Sequence, residues 1–254
     1  MTLTLLGTGT SQGVPVLGCD CTTCRSRDPR DRRLRTAALL SEDGHYLAID
    51  AGADFRQQML RRGVPSLDGV LVTHEHNDHT AGIDDLRPYC FRQGIDMPVY
   101  CLPRVAAELR ERFAYAFGDY PGVPRLDLRP RRPGEAVEFL GRRLELLEVT
   151  HGRLPILGFR VGGLAYLTDT KTLPPATLDR LGGLDTLVLS CLNYHGTHSH
   201  LSLAEALDYV GRIRPRRAVL VHFSHHVRPY AELATELPPG VEAGYDGMRL
   251  PVVD

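Results

Sequence analysis

The chain has 254 residues, 43% hydrophobic and 24% charged, with a formal net charge of −1. Those proportions fit a globular chain of one large domain or two small ones. They exclude the global basic field of a nucleic-acid binder, and no apolar run approaches the ~20 residues of a membrane span. Met1 to Leu6 has no basic start and is too short for a signal peptide, so a cytoplasmic location is expected. Thiols stay reduced there, and the six cysteines are then ligands or buried thiols rather than disulfides.

Leu3 to Leu6 reads as the first strand, ending in Gly7-Thr8-Gly9-Thr10. The third glycine of a dinucleotide fingerprint is missing, which leaves a glycine-rich turn. Cys19, Cys21 and Cys24 then form a C-x-C-x₂-C hook in a loop of about residues 18–35. Thiolates at this spacing wrap one soft ion such as Zn²⁺, which wants a fourth ligand from elsewhere. Arg25 to Arg35 interleaves arginine with aspartate and has no aromatic residue, the pattern of a solvated turn. Ala37 to Leu40 and Tyr46 to Ile49 read as strands around an Asp43-Gly44 hairpin turn. Asp50, at the end of the second strand, is either a partner for a ligating imidazole or a helix cap. Asp54 to Arg62 reads as an amphipathic helix closed by Gly63.

Val70-Leu71-Val72 is a short buried strand that runs into Thr73-His74-Glu75-His76-Asn77-Asp78-His79. Residues 74–79 hold three histidines and an aspartate in six positions. Neutral imidazoles and a carboxylate suit Zn²⁺, Mn²⁺ or Fe²⁺. Asp78 and His79 point differently from His74 and His76, so the cluster reads as two ions side by side, each finishing its shell elsewhere.

Arg87 is expected to pair with Asp84 or Asp85. Met97 to Cys101 reads as a strand, and Pro103 starts a helix over Arg104 to Ala116. Tyr120 to Pro133, rich in proline and arginine, reads as a surface loop. Val137–Phe139, Leu144–Val149, Ile156–Val161, Ala165–Leu167 and Leu184–Leu189 follow as strands. Ser202 and Glu205 form a capping box at the start of a helix running to Ile213. Cys90, Cys101 and Cys191 read as buried thiols. Clustered strands with intervening helices and no linker imply an α/β chain of two packed sheets with outer helices, one domain over 1–254.

The H-x-H-x-D-H pattern of residues 74–79 resembles the signature of the metallo-β-lactamase superfamily. That resemblance implies an αββα sandwich, two mixed β-sheets flanked by helices, with a dinuclear site at one edge. It also implies later ligands, for which His151, Asp169 and His222 stand in order, each ending an apolar run. Three further segments narrow the resemblance: the Gly13-Val14-Pro15-Val16 leader into the cysteine hook, Asp84-Asp85-Leu86-Arg87, and His200 before Leu201-Ser202. Together they look like the PhnP-type phosphodiesterases of the carbon–phosphorus lyase pathway. The family substrate would be 5-phosphoribosyl 1,2-cyclic phosphate, opened to ribose 1,5-bisphosphate. Mn²⁺ would fill the dinuclear site, with Zn²⁺ or Fe²⁺ as alternatives, and Zn²⁺ the cysteine site.

The resemblance implies one ion on His74, His76 and His151, the other on Asp78, His79 and His222, and Asp169 between them. A water shared by the ions would be the nucleophile. His200, on the loop before a helix N-terminus, would protonate the departing oxygen. His225 is expected to complete the cysteine site, with His226 as the competing ligand. His195 and His198 are either structural or substrate-binding. The implied partner is a small sugar phosphate diester, with a homodimer as the candidate assembly and no membrane or nucleic acid. The rival readings are a tRNA 3′-processing-type endonuclease, an accessory metalloprotein like those of pyrroloquinoline quinone biosynthesis, and a thioester or lactam hydrolase.

Overall fold

A computed structural model of the protein describes residues 1–118 and 120–254. Two seven-stranded sheets carry the fold. The first sheet draws on β1 (Thr2–Gly7), β2 (Ala37–Glu42), β3 (His45–Ile49), β4 (Gly69–Leu71), β5 (Met97–Cys101), β6 (Leu126–Pro130) and, from the far end of the chain, β14 (Arg249–Pro251). Its order is β14-β1-β2-β3-β4-β5-β6. The second holds β7 (Ala136–Phe139), β8 (Arg142–His151), β9 (Leu154–Val161), β10 (Leu164–Leu167), β11 (Thr186–Ser190), β12 (Arg217–Val221) and β13 (Val241–Ala243) in the order β13-β12-β11-β10-β9-β8-β7. Each sheet is mixed. Hairpin neighbours such as β2/β3 and β8/β9 are antiparallel, while β3/β4/β5/β6 and β10/β11/β12/β13 are parallel.

Strand alternation sorts the apolar side chains between two cores. Leu146, Tyr166, Val188, Val219 and Val221 join the core cluster that holds Leu3, Leu39, Val70 and Val99 of the other sheet. Their neighbours Leu147, Leu167, Leu187, Leu189 and Leu220 turn outward, under Ala206, Ile213 and Leu233 of the covering helices. A period of two along each strand lets one sheet bury both faces. Among the described residues no helix is long and apolar enough to cross a membrane.

Local signals behave as expected at most turns. Asp43 and Gly44 both take positive φ in the β2–β3 hairpin. Gly63 closes helix Phe55–Arg62 in the left-handed conformation, though the side chain of Asp54 makes no cap. Ser202 and Glu205 make the reciprocal capping box of helix Leu203–Ile213. Cys90, Cys101 and Cys191 are buried free thiols.

Three expectations need correction. Tyr120 to Pro133 is not wholly loop: Leu126–Pro130 is a strand that pairs in parallel with β5. It lies at a sheet edge, where proline is tolerated and only Leu128 is buried, so its alternation was masked by its prolines. The helix predicted over Arg104–Ala116 ends at Arg112 and is followed by a 3₁₀ turn, Ala114–Phe117. Arg25–Arg35 is not simply solvated. Asp31 and Arg33 are buried, with Arg33 bonded to Thr8 Oγ1 and the carbonyl of Gly244.

Candidate metal centre

The parallel strands point their C-terminal ends to one rim, and the loops leaving them build the site. Asp50 follows β3, His74 follows β4 after Thr73, Asp169 follows β10, and His222 follows β12. His151 is the last residue of β8. Open sheets place ligand sites at such strand ends. Asp50, Asp169 and His222 all have positive φ, between 52° and 65°. Non-glycine residues held there cost of order 1–3 kcal/mol each, a strain typical of residues whose direction matters more than their local stability.

Two groups of ligand-type atoms converge, each within 4.8 Å of one another. One is His74, His76 and His151, the other Asp78, His79, Asp169 and His222. Asp78 and His79 thus share a group apart from His74 and His76, the division read from the sequence. Within the first group, His74 Nε2 stands 3.0 Å from His76 Nδ1. Within the second, Asp169 Oδ1 is 3.0 Å from His222 Nε2 and its Oδ2 is 3.3 Å from His79 Nε2. Asp78 Oδ2 is 3.4 Å from the same His79 nitrogen. Asp169 also meets His151 and His200 in a third group, so its carboxylate touches both halves of the centre.

The electrostatics call for cations. Burial disfavours an imidazolium, yet the carboxylates of Asp50 and Asp169 push His79 well above its ordinary value. Burial would also raise Asp169, but His222 and His79 hold it well below the usual carboxylate range. Burial together with His79 and His76 pushes His74 well below the usual histidine range. His79 Nε2 and both ring nitrogens of His222 are buried without a hydrogen bond. Unpartnered buried nitrogens are costly, and divalent ions here would take His79 Nε2 and one ring nitrogen of His222 while neutralising the carboxylates. The donor set therefore fits a pair of such ions.

Outer contacts orient the ligands. Asp50, fully buried, accepts from Thr73 N at 2.8 Å and from the Thr73 hydroxyl, and takes the His79 Nδ1–H at 2.7 Å. It is therefore the partner of a ligand-type imidazole rather than a helix cap. His151 donates Nδ1–H to the carbonyl of Ser199 at 2.9 Å. Both bonds leave Nε2 as the free nitrogen. Two arginines of helix Pro103–Arg112 clamp the loop from behind, a feature not foreseen from the sequence. Arg104 reaches the Glu75 carboxylate at 3.0 and 3.1 Å. Arg112 reaches the Glu75 carbonyl at 2.8 Å, Thr80 Oγ1 at 3.0 Å and Asn77 Oδ1 at 2.5 Å. Their eight-residue spacing on a helix gives no sequence sign of a target in a loop 29 to 37 residues upstream. Arg87, by contrast, forms the expected pair with Asp84.

His200 lies over the centre, its ring 4.6 Å from that of His151 and 4.9 Å from that of His222. Its Nδ1 is 3.9 Å from Asp169 Oδ1 and is buried without a hydrogen bond. Burial and the nearby His222 push its pKa down to about 3. His198 lines the cleft mouth with His76 and His151. His195 lies in the same loop, which Asn193 Oδ1 anchors by accepting from the backbone of His195 and Gly196.

The cysteine hook is a separate cluster. Cys19, Cys21, Cys24 and His225 gather within the same 4.8 Å limit, and His226 is not in the group. His225 Nδ1 is 3.1 Å from Cys19 Sγ and 3.6 Å from Cys21 Sγ. Four soft donors in one cluster fit the set of a structural Zn²⁺ site. The hook thereby meets the strand end that carries His222, three residues before His225. The Gly7–Thr10 turn joins it there: Thr8 O accepts from Phe223 N, and Thr10 N donates to Phe223 O.

Residues 45–223 match a family model described as a beta-lactamase superfamily domain. With the two-sheet fold and its rim of histidines and aspartates, the chain belongs to the metallo-β-lactamase superfamily as a hydrolase-type enzyme. Within that superfamily it is PhnP-type. A crystal structure of a new diphosphatase from the PhnP family superposes with a TM-score of 0.92 at 36% identity, covering 98% of this chain and 96% of that one. An octanoyltransferase of Porphyromonas gingivalis is 42% identical over 249 residues, 96% of this chain, and the chain spans 50% of that relative's length. A ribonuclease Z of Mycobacterium sp. (strain KMS) is 26% identical over 289 residues, covering 98% of this chain and 95% of the relative.

Proposed function

We propose that this protein, as one domain over residues 1–254, hydrolyses a phosphoric diester in a small sugar phosphate. The preferred substrate is 5-phosphoribosyl 1,2-cyclic phosphate and the product ribose 1,5-bisphosphate. The observation that carries the reading is the pair of ligand groups joined by Asp169, with His200 seated against them. His74, His76 and His151 would hold one divalent ion and Asp78, His79 and His222 the other, with Asp169 grouped with members of both sets; Mn²⁺ is favoured, Zn²⁺ or Fe²⁺ are alternatives. When bound, such ions supply Lewis acidity to phosphoryl oxygens and bring a water to a pKa of about 7. Cys19, Cys21, Cys24 and His225 would hold a structural Zn²⁺.

The chain's own residues do the rest. Asp50 fixes the tautomer of His79, and the Ser199 carbonyl fixes that of His151. His200 is neutral in the free cleft. An anionic phosphoryl group beside it opposes the effect of burial, so the imidazole takes up a proton from solvent once substrate is bound, passes it to the departing sugar oxygen and returns to the neutral form.

A second reading is hydrolysis of an acyl thioester; the Porphyromonas relative is named an octanoyltransferase, and this chain spans half of its length. The cleft mouth offers Leu154 as its one aliphatic side chain among the described lining residues, beside His76, His151, Arg153 and His198, which favours an anion over an eight-carbon chain. A net charge of −1 likewise gives little to grip a tRNA. The test is turnover by Mn²⁺-loaded protein of the cyclic sugar phosphate, an aryl phosphodiester, a sugar diphosphate and an octanoyl thioester. Preference for the cyclic phosphate by tenfold or more is expected. Preference for the diphosphate moves the scissile bond to a phosphoanhydride, and turnover of the thioester alone overturns the reading.

A further inference from the structure

The cleft has a wall that the ligand-type side chains do not use. A cavity of about 830 Å³ opens in front of His76 and His151 and is bounded by Gly152, Arg153, Leu154, His198 and Ser199. No acidic side chain is among those lining residues. Arg153 sits in the two-residue turn between β8 and β9, where pairing continues up to His151 opposite Leu154. Gly152 supplies the positive φ the turn requires, at 62°. A Cβ there would lie 3.4 Å from Ser199, so the turn packs closely on the loop that carries His198 and His200. The base of the Arg153 side chain is therefore fixed by the same hairpin that carries His151.

Other cations around the cleft are already committed. Arg104 and Arg112 hold Glu75 and Asn77, Arg87 holds Asp84, and Lys171 holds Glu205. Arg153 is exposed and has no ion-pair or hydrogen-bond partner for its guanidinium among the described residues. A free guanidinium beside a centre built for two divalent ions is repelled by them, and that repulsion is relieved when an anion lies between. Its planar fork also matches a phosphate in a bidentate way.

Resting on the phosphodiester reading above, the geometry points to Arg153, with His198 in the same wall, as the site for a second anionic group on the substrate, a phosphomonoester remote from the bond that is cut. Arg153 is thus a specificity residue that selects sugar phosphates carrying two phosphates over simple diesters.

The test uses the metal-loaded full chain and two p-nitrophenyl phosphodiesters that differ in one arm, ending in a phosphomonoester or in a hydroxyl. The ratio of their kcat/KM values should favour the phosphorylated arm by about 10- to 100-fold, the range of a charge-assisted hydrogen-bond pair. Arg153→Ala should bring that ratio close to one, chiefly through KM, and Arg153→Lys should restore part of it. An Arg153→Ala ratio equal to that of the wild type overturns the assignment. If neither diester turns over, the phosphodiester reading itself fails, and calorimetric titration with ribose 5-phosphate against ribose decides the subsite. Binding weakened about tenfold or more by Arg153→Ala keeps it, and binding indifferent to Arg153 removes it.

Discussion

Replacing Asp50 by asparagine exchanges one buried carboxylate oxygen for an amide nitrogen and should empty half of the metal centre. One carboxylate oxygen takes Thr73 N at 2.8 Å, and the Thr73 hydroxyl lies 3.0 and 2.9 Å from the two oxygens, so an asparagine keeps its carbonyl oxygen on Thr73 N. Its NH₂ group then faces His79 Nδ1, where Asp50 accepts a proton at 2.7 Å. An amide can only donate at that point, so His79 must accept on Nδ1 and carry its proton on Nε2. Nε2 is the nitrogen that stands 3.4 Å from Asp78 and 3.3 Å from Asp169, and a protonated nitrogen cannot bind a cation. Losing a charge-assisted hydrogen bond costs about 1.5–3 kcal/mol, and partners of metal-bound histidines typically carry 10- to 100-fold in affinity. The ion on Asp78, His79 and His222 should weaken by that factor, while the ion on His74, His76 and His151 stays. Native mass spectrometry at limiting Mn²⁺, backed by calorimetric titration, would show a shift from two bound ions to one. Two ions bound with wild-type affinity would refute the tautomer argument.

Three further predictions follow from the same geometry. His200→Ala should retain both ions and lower kcat by roughly 10²–10⁴-fold, the usual range for a proton donor; loss of one ion by elemental analysis would instead make His200 a ligand through its grouping with His151 and Asp169. Arg112→Ala removes three hydrogen bonds to the loop of Glu75, Asn77 and Thr80, and should lower stability by about 1–3 kcal/mol. Its Tm deficit should grow when the metals are chelated, and an identical Tm with and without them would show that the clamp does not support the centre. The cysteine site should bind zinc more weakly as pH falls, because burial pushes Cys24 up to about 11 and every thiol must lose its proton to bind. Zinc release followed with a chromogenic chelator should accelerate between pH 7 and pH 5, and release independent of pH would show that the thiolates do not hold the ion.

The histidine motif was legible in the sequence because it is local. Six consecutive positions after a short strand hold four ligand-type residues, and their division into His74/His76 and Asp78/His79 is a matter of how neighbouring residues point. The capping box at Ser202, the hairpin turn at Asp43-Gly44 and the buried strands are local in the same sense. His151, Asp169 and His222 could be anticipated through family resemblance and their places at strand ends. Their convergence depends on two parallel runs of strands delivering distant residues to one rim. The choice of His225 over His226 required the hook and the segment after β12 to meet, some two hundred residues apart in sequence. Asp50 had two open roles until β3 and β4 stood side by side, which put its carboxylate between Thr73 and His79. Arg104, Arg112 and Arg153 carried no sequence signal in a chain whose positive charge is almost all arginine. Only the fold separates a guanidinium that braces a loop from one left free at the mouth of the cleft, because that difference lies in which carboxylates come within reach.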